Sequence, residues 1–75
     1  MKIYIVWSVH RDNDTGTNDI VSYHQTLEGA TRKQNLVAQQ VNSARACNWN
    51  LYDEFGIPQF VWVSNPYITE AILEE

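Results

Sequence analysis

Side chains that could bind a metal ion are concentrated in the polar stretch RDNDTGTND, which follows the first apolar run of the chain. Asp12, Asp14 and Gly16 occur there in an order that resembles a calcium-binding loop. In such a loop glycine is the sixth residue and glutamate the twelfth, whereas here glycine is the fifth and Tyr23 is the twelfth. We therefore interpret the stretch as a solvated turn and predict no metal site in the chain.

The remaining candidates for catalysis are two histidines, one cysteine and a pair of neighbouring carboxylates. His10 and His24 lie near each other if their strands pair, but a zinc site needs a third ligand and Cys47 is distant in the sequence. Cys47 has no spacing motif around it, so we expect a small, partly buried residue after a helix rather than a nucleophile. Asp53 and Glu54 lie between aromatic residues, where we expect them to solvate a turn rather than to transfer protons. The sequence therefore predicts no catalytic residue, no cofactor and no enzymatic activity.

The length and charge of the chain limit both its architecture and its partners. Its 75 residues predict a single domain, 1–75, with a small core that benefits from a partner. Nine acidic and five basic residues give a net charge of −4, which disfavours nucleic-acid binding. The single cysteine excludes an internal disulfide and favours a reducing compartment, so we predict a cytoplasmic protein. No apolar run approaches the roughly 20 residues that span a membrane, and the N-terminus does not resemble a signal peptide.

The stretch 26–45 predicts the one long helix around which the other elements are arranged. Its apolar side chains recur at steps of three and four residues, and they are Leu27, Ala30, Val37, Val41 and Ala44. Thr26 is a predicted N-cap, and Glu28 and Arg45 suit the dipole at the two helix ends. We predict a helix over residues 27–45 whose apolar stripe, with Val37 and Val41 at its centre, packs on a sheet.

Three apolar runs predict the strands of that sheet, over residues 2–9, 20–24 and 60–63. A right-handed connection through the helix makes the third strand parallel to the second, so the first strand fills the gap between them. The predicted fold is therefore a small α+β domain of ββαβ order, with a three-stranded antiparallel sheet of order 2-1-3 and one long helix on one face. Residues 46–59 are predicted to be irregular, and the C-terminal segment 66–75 is interpreted as a short helix, with an extended tail as the alternative.

The predicted sheet has one wholly apolar face and one mixed face. We expect the helix on the apolar face, which carries Ile3, Ile5, Trp7, Val9, Val21 and Tyr23. The mixed face is too apolar for open water, so we expect another protein chain to cover it, most simply a second copy in a two-fold homodimer. From that face we predict as partner-binding residues Tyr4, Val6, Ile20 and His24.

Aromatic residues are a second signal for binding, because they make up 12% of this small chain. Trp and Tyr are enriched at the energetically dominant positions of protein interfaces. The irregular segment holds several aromatic residues beside its carboxylates, and we predict as further partner-binding residues Trp49, Tyr52, Asp53, Glu54 and Phe55.

The opening MKIYIVWSV, the stretch YHQTLEGA that leads into the helix, and the later run FVWVSN together resemble a loose group of small bacterial and bacteriophage proteins. Members of that group open with Met-Lys and an apolar strand, continue through a hairpin to a Thr-Leu-Glu cap and an Ala-rich helix, and close with a strand. The resemblance spans most of the chain and implies the ββαβ fold. It also implies a protein, encoded by a phage or mobile element, that binds and blocks a host protein such as a component of host defence. The segment 46–59 departs from the shortest members of the group.

The sequence thus favours a small non-enzymatic protein that binds another protein and inhibits or modulates it. If the chain is phage-encoded, the partner is a host or defence protein in the host cytoplasm. Two alternatives stay open: an oligomer that binds or sequesters a small molecule at its subunit interface, and a small enzyme of unknown reaction. Membranes and nucleic acids are not expected partners.

Overall fold

In the computed structural model, which describes residues 1–74, two strands precede one helix and a third strand follows it. Strand β1 (Lys2–Ser8) forms an antiparallel hairpin with β2 (Asp19–His24), and helix α1 (Leu27–Ala46) comes next. Strand β3 (Tyr67–Ile72) pairs antiparallel with the other edge of β1, which gives the order β2-β1-β3. The predicted α+β fold, with its three antiparallel strands in order 2-1-3 and its single helix, is confirmed. Within residues 1–74, no helix is long and apolar enough to cross a bilayer.

The third strand lies further along the chain than the sequence predicted. It was expected at residues 60–63, with a short helix over 66–75, but β3 occupies Tyr67–Ile72. Its sequence YITEAI contains Glu and Ala, which are more typical of helices than of strands. Pairing with β1 from Lys2 to Trp7 satisfies the backbone of this segment, and that tertiary pairing overrides the local preference. Within the residues that the structure describes, the predicted strand at 60–63 and the predicted short helix were therefore wrong, whereas the extended alternative for the C-terminal segment agrees with β3.

The apolar run that was predicted as the third strand lies beside an extension of β1. Two backbone hydrogen bonds of 2.8 and 2.9 Å join residues 61–63 to residues 9–11. Regular pairing then stops, because the Ser64 hydroxyl accepts the Val9 N–H at 2.9 Å where a backbone carbonyl would normally accept it. Pro66 has no N–H to donate, and β3 begins directly after it. Residues 61–63 and 67–72 thus both pair along the first strand and its extension, and the pairing is interrupted between these two segments.

Helix α1 packs on the opposite face of the sheet from the predicted one. Val6 and Ser8 of β1 are fully buried, and a Cβ built on Gly29 would lie 3.3 Å from the ring of His24. The physical reason is side-chain size, since the buried stripe of α1 includes two alanines and can approach closely only where β1 also presents small side chains. The face carrying Ile3, Ile5, Trp7 and Tyr23 was predicted to contact the helix, and that prediction was wrong.

The helix itself follows its sequence pattern closely. Its N-cap is Thr26, whose hydroxyl accepts the backbone N–H of Gly29 at 3.1 Å, as predicted. The centre of the buried stripe is formed by Val37 and Val41, also as predicted. Leu27, which was expected in the stripe, is exposed, because at 3.6 residues per turn it lies about 70° from the stripe centre.

Candidate protein-binding surface

The face of the sheet that is turned away from α1 is the candidate site. Alternation along β1 places Ile5 on this face, and the strand registers put Tyr23 and Thr69 on either side of it. A bulge in β2, opposite the step from Val6 to Trp7, brings Ile20 onto the same face. We call this surface the open face, and its members are Ile3, Ile5, Trp7, Ile20, Tyr23, Tyr67, Thr69 and Ala71.

Aromatic rings on the open face are held in fixed positions. The indole N–H of Trp7 donates to the hydroxyl of Thr69 at 2.7 Å. The ring of Tyr67 stacks beside Trp7, with centroids 6.4 Å apart and planes 12° from parallel. Such rings offer a large contact area to a partner and lose little conformational entropy on binding, because they are already ordered.

The open face is apolar and accessible, and none of its eight residues carries a charge. Tyr23 is 62% exposed and Tyr67 is 41% exposed, whereas Ile3, Ile5 and Trp7 are half-buried by their neighbours in the sheet. The smallest dimension of the molecule is 18 Å, which accommodates one layer of helix on one layer of sheet. No element within residues 1–74 forms a third layer over this face.

Of the four strand residues predicted to bind a partner, Ile20 alone lies on the open face. Val6 is fully buried beneath α1. Tyr4 and His24 pair across β1 and β2 on the covered face, where both are half-buried. The imidazole Nε2 of His24 lies 2.7 Å from the hydroxyl of Ser22 on the same face. The placement of Tyr4, Val6 and His24 on the uncovered side of the sheet was therefore wrong.

A second exposed cluster is a tight turn over residues 51–59. One carboxylate oxygen of Asp53 accepts the backbone N–H groups of Phe55 and Ile57 at 2.8 and 2.9 Å, which fixes the turn. At the end of the turn Gly56 has a φ of 78°, a left-handed conformation that favours glycine. Phe55 is 79% exposed, and Tyr52 and Glu54 are exposed as well. Asp53 thus shapes the turn as the sequence suggested, and it presents Phe55 to solvent.

Trp49 has a different position from the rest of the predicted aromatic set. It follows the helix C-cap Cys47, and both Asn48 and Trp49 adopt left-handed backbone conformations, with φ of 55° and 63°. This sharp change of direction brings the indole against Phe60, with ring centroids 5.5 Å apart, and leaves it half-buried. Cys47 is exposed, in contrast to the partly buried position that was expected.

Within residues 1–74, the histidines and carboxylates do not form a cluster that could hold a metal ion. The Nδ1 atom of His10 accepts the backbone N–H of Asp12 at 3.0 Å. The carboxylate of Asp12 lies 3.7 Å from the same nitrogen. Among residues 1–74, no three His, Cys, Asp or Glu side chains are close enough together to hold a metal ion.

One cavity near the tight turn has the size of a small-molecule site. Its volume is about 550 Å³, and its lining consists of Arg11, Asp12, Trp49, Tyr52, Pro58, Phe60 and Val63. The guanidinium of Arg11 already donates to the carbonyl oxygen of Phe60 and lies 3.8 Å from the Asp12 carboxylate. The cavity therefore has an aromatic wall but few polar groups free to orient a ligand.

Most of the open face could not be identified as a binding surface from the sequence. The sequence placed Ile3, Ile5 and Trp7 beneath the helix, and it read Tyr67 as part of a helix. One signal was available, because the alanines in the helix stripe require small partners and Ser8 is the small residue of the first strand. No local pattern indicated that residues 67–72 would complete the face.

Comparison of the chain with protein-family models, with curated protein sequences and with solved structures finds no match.

Proposed function

We propose that this protein acts by binding another protein through the open face and does not catalyse a reaction. The observation that carries the proposal is an uncharged apolar face, with ordered aromatic rings, that α1 leaves uncovered. Contiguous apolar patches of this kind on small proteins are commonly interaction sites.

The size of the open face supports a binding role. Three strands of six or seven residues, about 4.8 Å apart and with a rise of about 3.3 Å per residue, give a surface of roughly 300 Å². At about 25 cal/mol per Å², covering it contributes about 7 kcal/mol before the costs of association. A gain of this size is consistent with a complex of modest affinity, and contacts outside the open face would raise that affinity.

The resemblance of the sequence to small bacterial and bacteriophage proteins supports a finer proposal. We propose that the chain is encoded by a phage or mobile element and that its partner is a host or defence protein in the host cytoplasm, which it inhibits or modulates. A second copy of the chain is the other candidate cover for the face, and light scattering at tens of micromolar distinguishes a homodimer from a monomer.

The proposal is tested by capture of a partner with matched variants. We expect the wild type to retain a specific protein from a host lysate and the Tyr23→Ser/Tyr67→Ser variant to lose it. The control is Leu27→Ser/Leu36→Ser, which removes two exposed apolar side chains from α1, away from the open face. All three proteins should have the same helical circular dichroism. Equal capture by all three proteins would show that the partner does not bind the open face. Loss of capture by the control variant alone would show that the partner binds outside the open face.

A small-molecule ligand is the second candidate function, because of the cavity of about 550 Å³ beside Trp49 and Tyr52. Such a ligand would raise the melting temperature of the wild type and have no effect on a Trp49→Ala/Tyr52→Ala variant. A library of small molecules that leaves the wild-type melting temperature unchanged would argue against this function.

A further inference from the structure

The outer edge of β3 presents backbone groups that pair with no other strand within residues 1–74. Met1 and Leu73, which flank the two paired strands, exchange backbone hydrogen bonds of 3.0 and 2.7 Å. Such bonded pairs recur at every second residue of an antiparallel pair, so Tyr67, Thr69 and Ala71 direct their N–H and C=O groups toward β1. The alternate residues direct these groups outward. We call the outward groups the free edge, and they belong to Ile68, Glu70 and Ile72.

The free edge lacks the features that usually keep strand edges from pairing. Residues 67–72 contain neither Pro nor Lys, and their register with β1 runs from Lys2 to Trp7 without a shift. The one charged side chain of β3, Glu70, lies 3.5 Å from the ammonium of Lys2, so its charge is offset within the chain. The opposite edge strand, β2, contains a bulge, and a bulge distorts the outer edge of a strand. Within residues 1–74, β3 therefore offers the one regular edge.

We infer that the free edge pairs with the free edge of a second copy of this chain, in an antiparallel register that sets Thr69 opposite Thr69. A two-fold axis perpendicular to the sheet makes this pairing antiparallel, and the three strands of each copy form one continuous sheet of six. The interface goes beyond the proposed function, because it uses an edge of the sheet and leaves the open face free to bind another protein.

The register follows from the side chains that it brings together. Outward groups must meet outward groups, and only registers centred on Thr69 or Glu70 then keep five residues of β3 paired. Centring on Glu70 sets two carboxylates directly opposite each other, which destabilises a sheet. Centring on Thr69 sets two threonines opposite each other, a favourable cross-strand pair, and places the large Tyr67 beside the small Ala71 of the second copy.

Edge pairing also enlarges the apolar surface that the molecule offers. The two open faces lie on the same side of the continuous sheet, so their area doubles from roughly 300 to roughly 600 Å². That approaches the 800 Å² or so that each partner buries in a typical stable interface. Helix α1 contacts all three strands of its own sheet, and its copy lies three strand spacings, about 14 Å, away. Packed helices approach to about 8–10 Å, so both helices have room.

Cysteine crosslinking tests both the pairing and its register. Residues opposite each other at a non-hydrogen-bonded pair have Cα atoms about 4.5 Å apart, which a disulfide can bridge. In a Cys47→Ser background, which removes the only native thiol, we expect Thr69→Cys to form a disulfide-linked dimer under mild oxidation. The matched control is Ala71→Cys, on the same face of the same strand. It should stay reduced, because the two copies of position 71 lie four residues, about 13 Å, apart along the strands.

Light scattering of matched variants tests the role of the backbone. At hundreds of micromolar we expect the wild type to dimerise and Glu70→Pro to raise the dissociation constant at least about tenfold. Proline removes the outward N–H and leaves the hydrogen bonds to β1 in place. The control Glu70→Ala removes the same carboxylate, keeps the N–H and should stay dimeric. Tyr23→Ser, which changes the open face on β2, should also stay dimeric. Circular dichroism verifies that each variant is folded, and if Glu70→Pro is not, the crosslinking pair still decides.

The other outcomes overturn the inference in ways that are separate from the proposed function. A monomeric wild type, with no crosslink through Thr69→Cys, would overturn the second copy and leave binding through the open face intact. Crosslinking through Ala71→Cys as readily as through Thr69→Cys would overturn the register. A dimer that Tyr23→Ser dissociates and Glu70→Pro does not would show that the second copy covers the open face. A monomeric wild type whose captured partner is lost with Glu70→Pro but kept with Glu70→Ala would show that a strand of another protein occupies the free edge.

Discussion

At the scale of single residues, the hydroxyl of Ser8 joins the end of β1 to the chain that returns after the helix. Ser8 is fully buried and donates to the carbonyl oxygen of Ser64 at 2.7 Å. Since its one proton is used there, the Ser64 hydroxyl donates back to Ser8 at 3.1 Å and also accepts the Val9 N–H at 2.9 Å. These hydrogen bonds fix the backbone at Ser64, between the segment 61–63 and the start of β3.

Replacing Ser8 by alanine should therefore destabilise the protein. Ser8→Ala leaves the Ser64 carbonyl without this donor, and we expect a loss of about 1–2 kcal/mol in the free energy of unfolding. Urea denaturation measures the change. The control Ser43→Ala, at an exposed position of α1, should stay within about 0.5 kcal/mol of wild type. Equal stabilities for the two variants would contradict the role of the hydroxyl.

The N-cap gives a second prediction at this scale. Thr26→Ala removes the acceptor for the Gly29 N–H and should cost about 1 kcal/mol, measured by thermal or urea unfolding. Thr26→Ser retains the hydroxyl and should recover most of the loss. A serine variant as unstable as the alanine variant would show that the threonine methyl, not the hydrogen bond, is what matters.

At the scale of elements, the helix was predictable from the sequence and the third strand was not. The limits of α1 depend on local features, a capping Thr26 and a stripe of small apolar side chains, and the predicted range ends one residue short of the observed one. The existence of β3 depends on pairing with a strand more than 60 residues earlier, which no local pattern reveals. The prediction also chose the wrong face of the sheet for the helix, because the first strand is apolar on both sides near its middle and local pattern does not distinguish them.

A charge inserted into the helix stripe tests how α1 packs. Val41 is fully buried, so Val41→Asp should cost at least about 3 kcal/mol, comparable to the whole stability of so small a domain, and unfold it. Asn42 is the next residue and is exposed, so Asn42→Asp adds the same charge and should remain folded. Circular dichroism during heating distinguishes the two. A Val41→Asp variant that melts near the wild-type temperature would contradict the packing of this stripe.

At the scale of the whole molecule, α1 covers one face of the sheet, and within residues 1–74 no second layer covers the other face. Tyr23 and Tyr67 contribute to the open face, and 62% and 41% of their surfaces stay exposed to solvent. We therefore expect Tyr23→Ser/Tyr67→Ser to lower the free energy of unfolding by no more than about 1 kcal/mol. A much larger loss in urea denaturation would mean that the open face serves stability rather than binding.

Photo-crosslinking inside host cells is the most direct test of the central claim that the open face binds another protein. A benzophenone amino acid is placed at position 23 on the open face, and, as the control, at position 36 on the exposed side of α1. We predict one specific adduct from position 23 and none from position 36, and excess unlabelled wild-type protein should abolish it. Adducts from position 36 alone, or no adduct from position 23 at any expression level, would contradict the account.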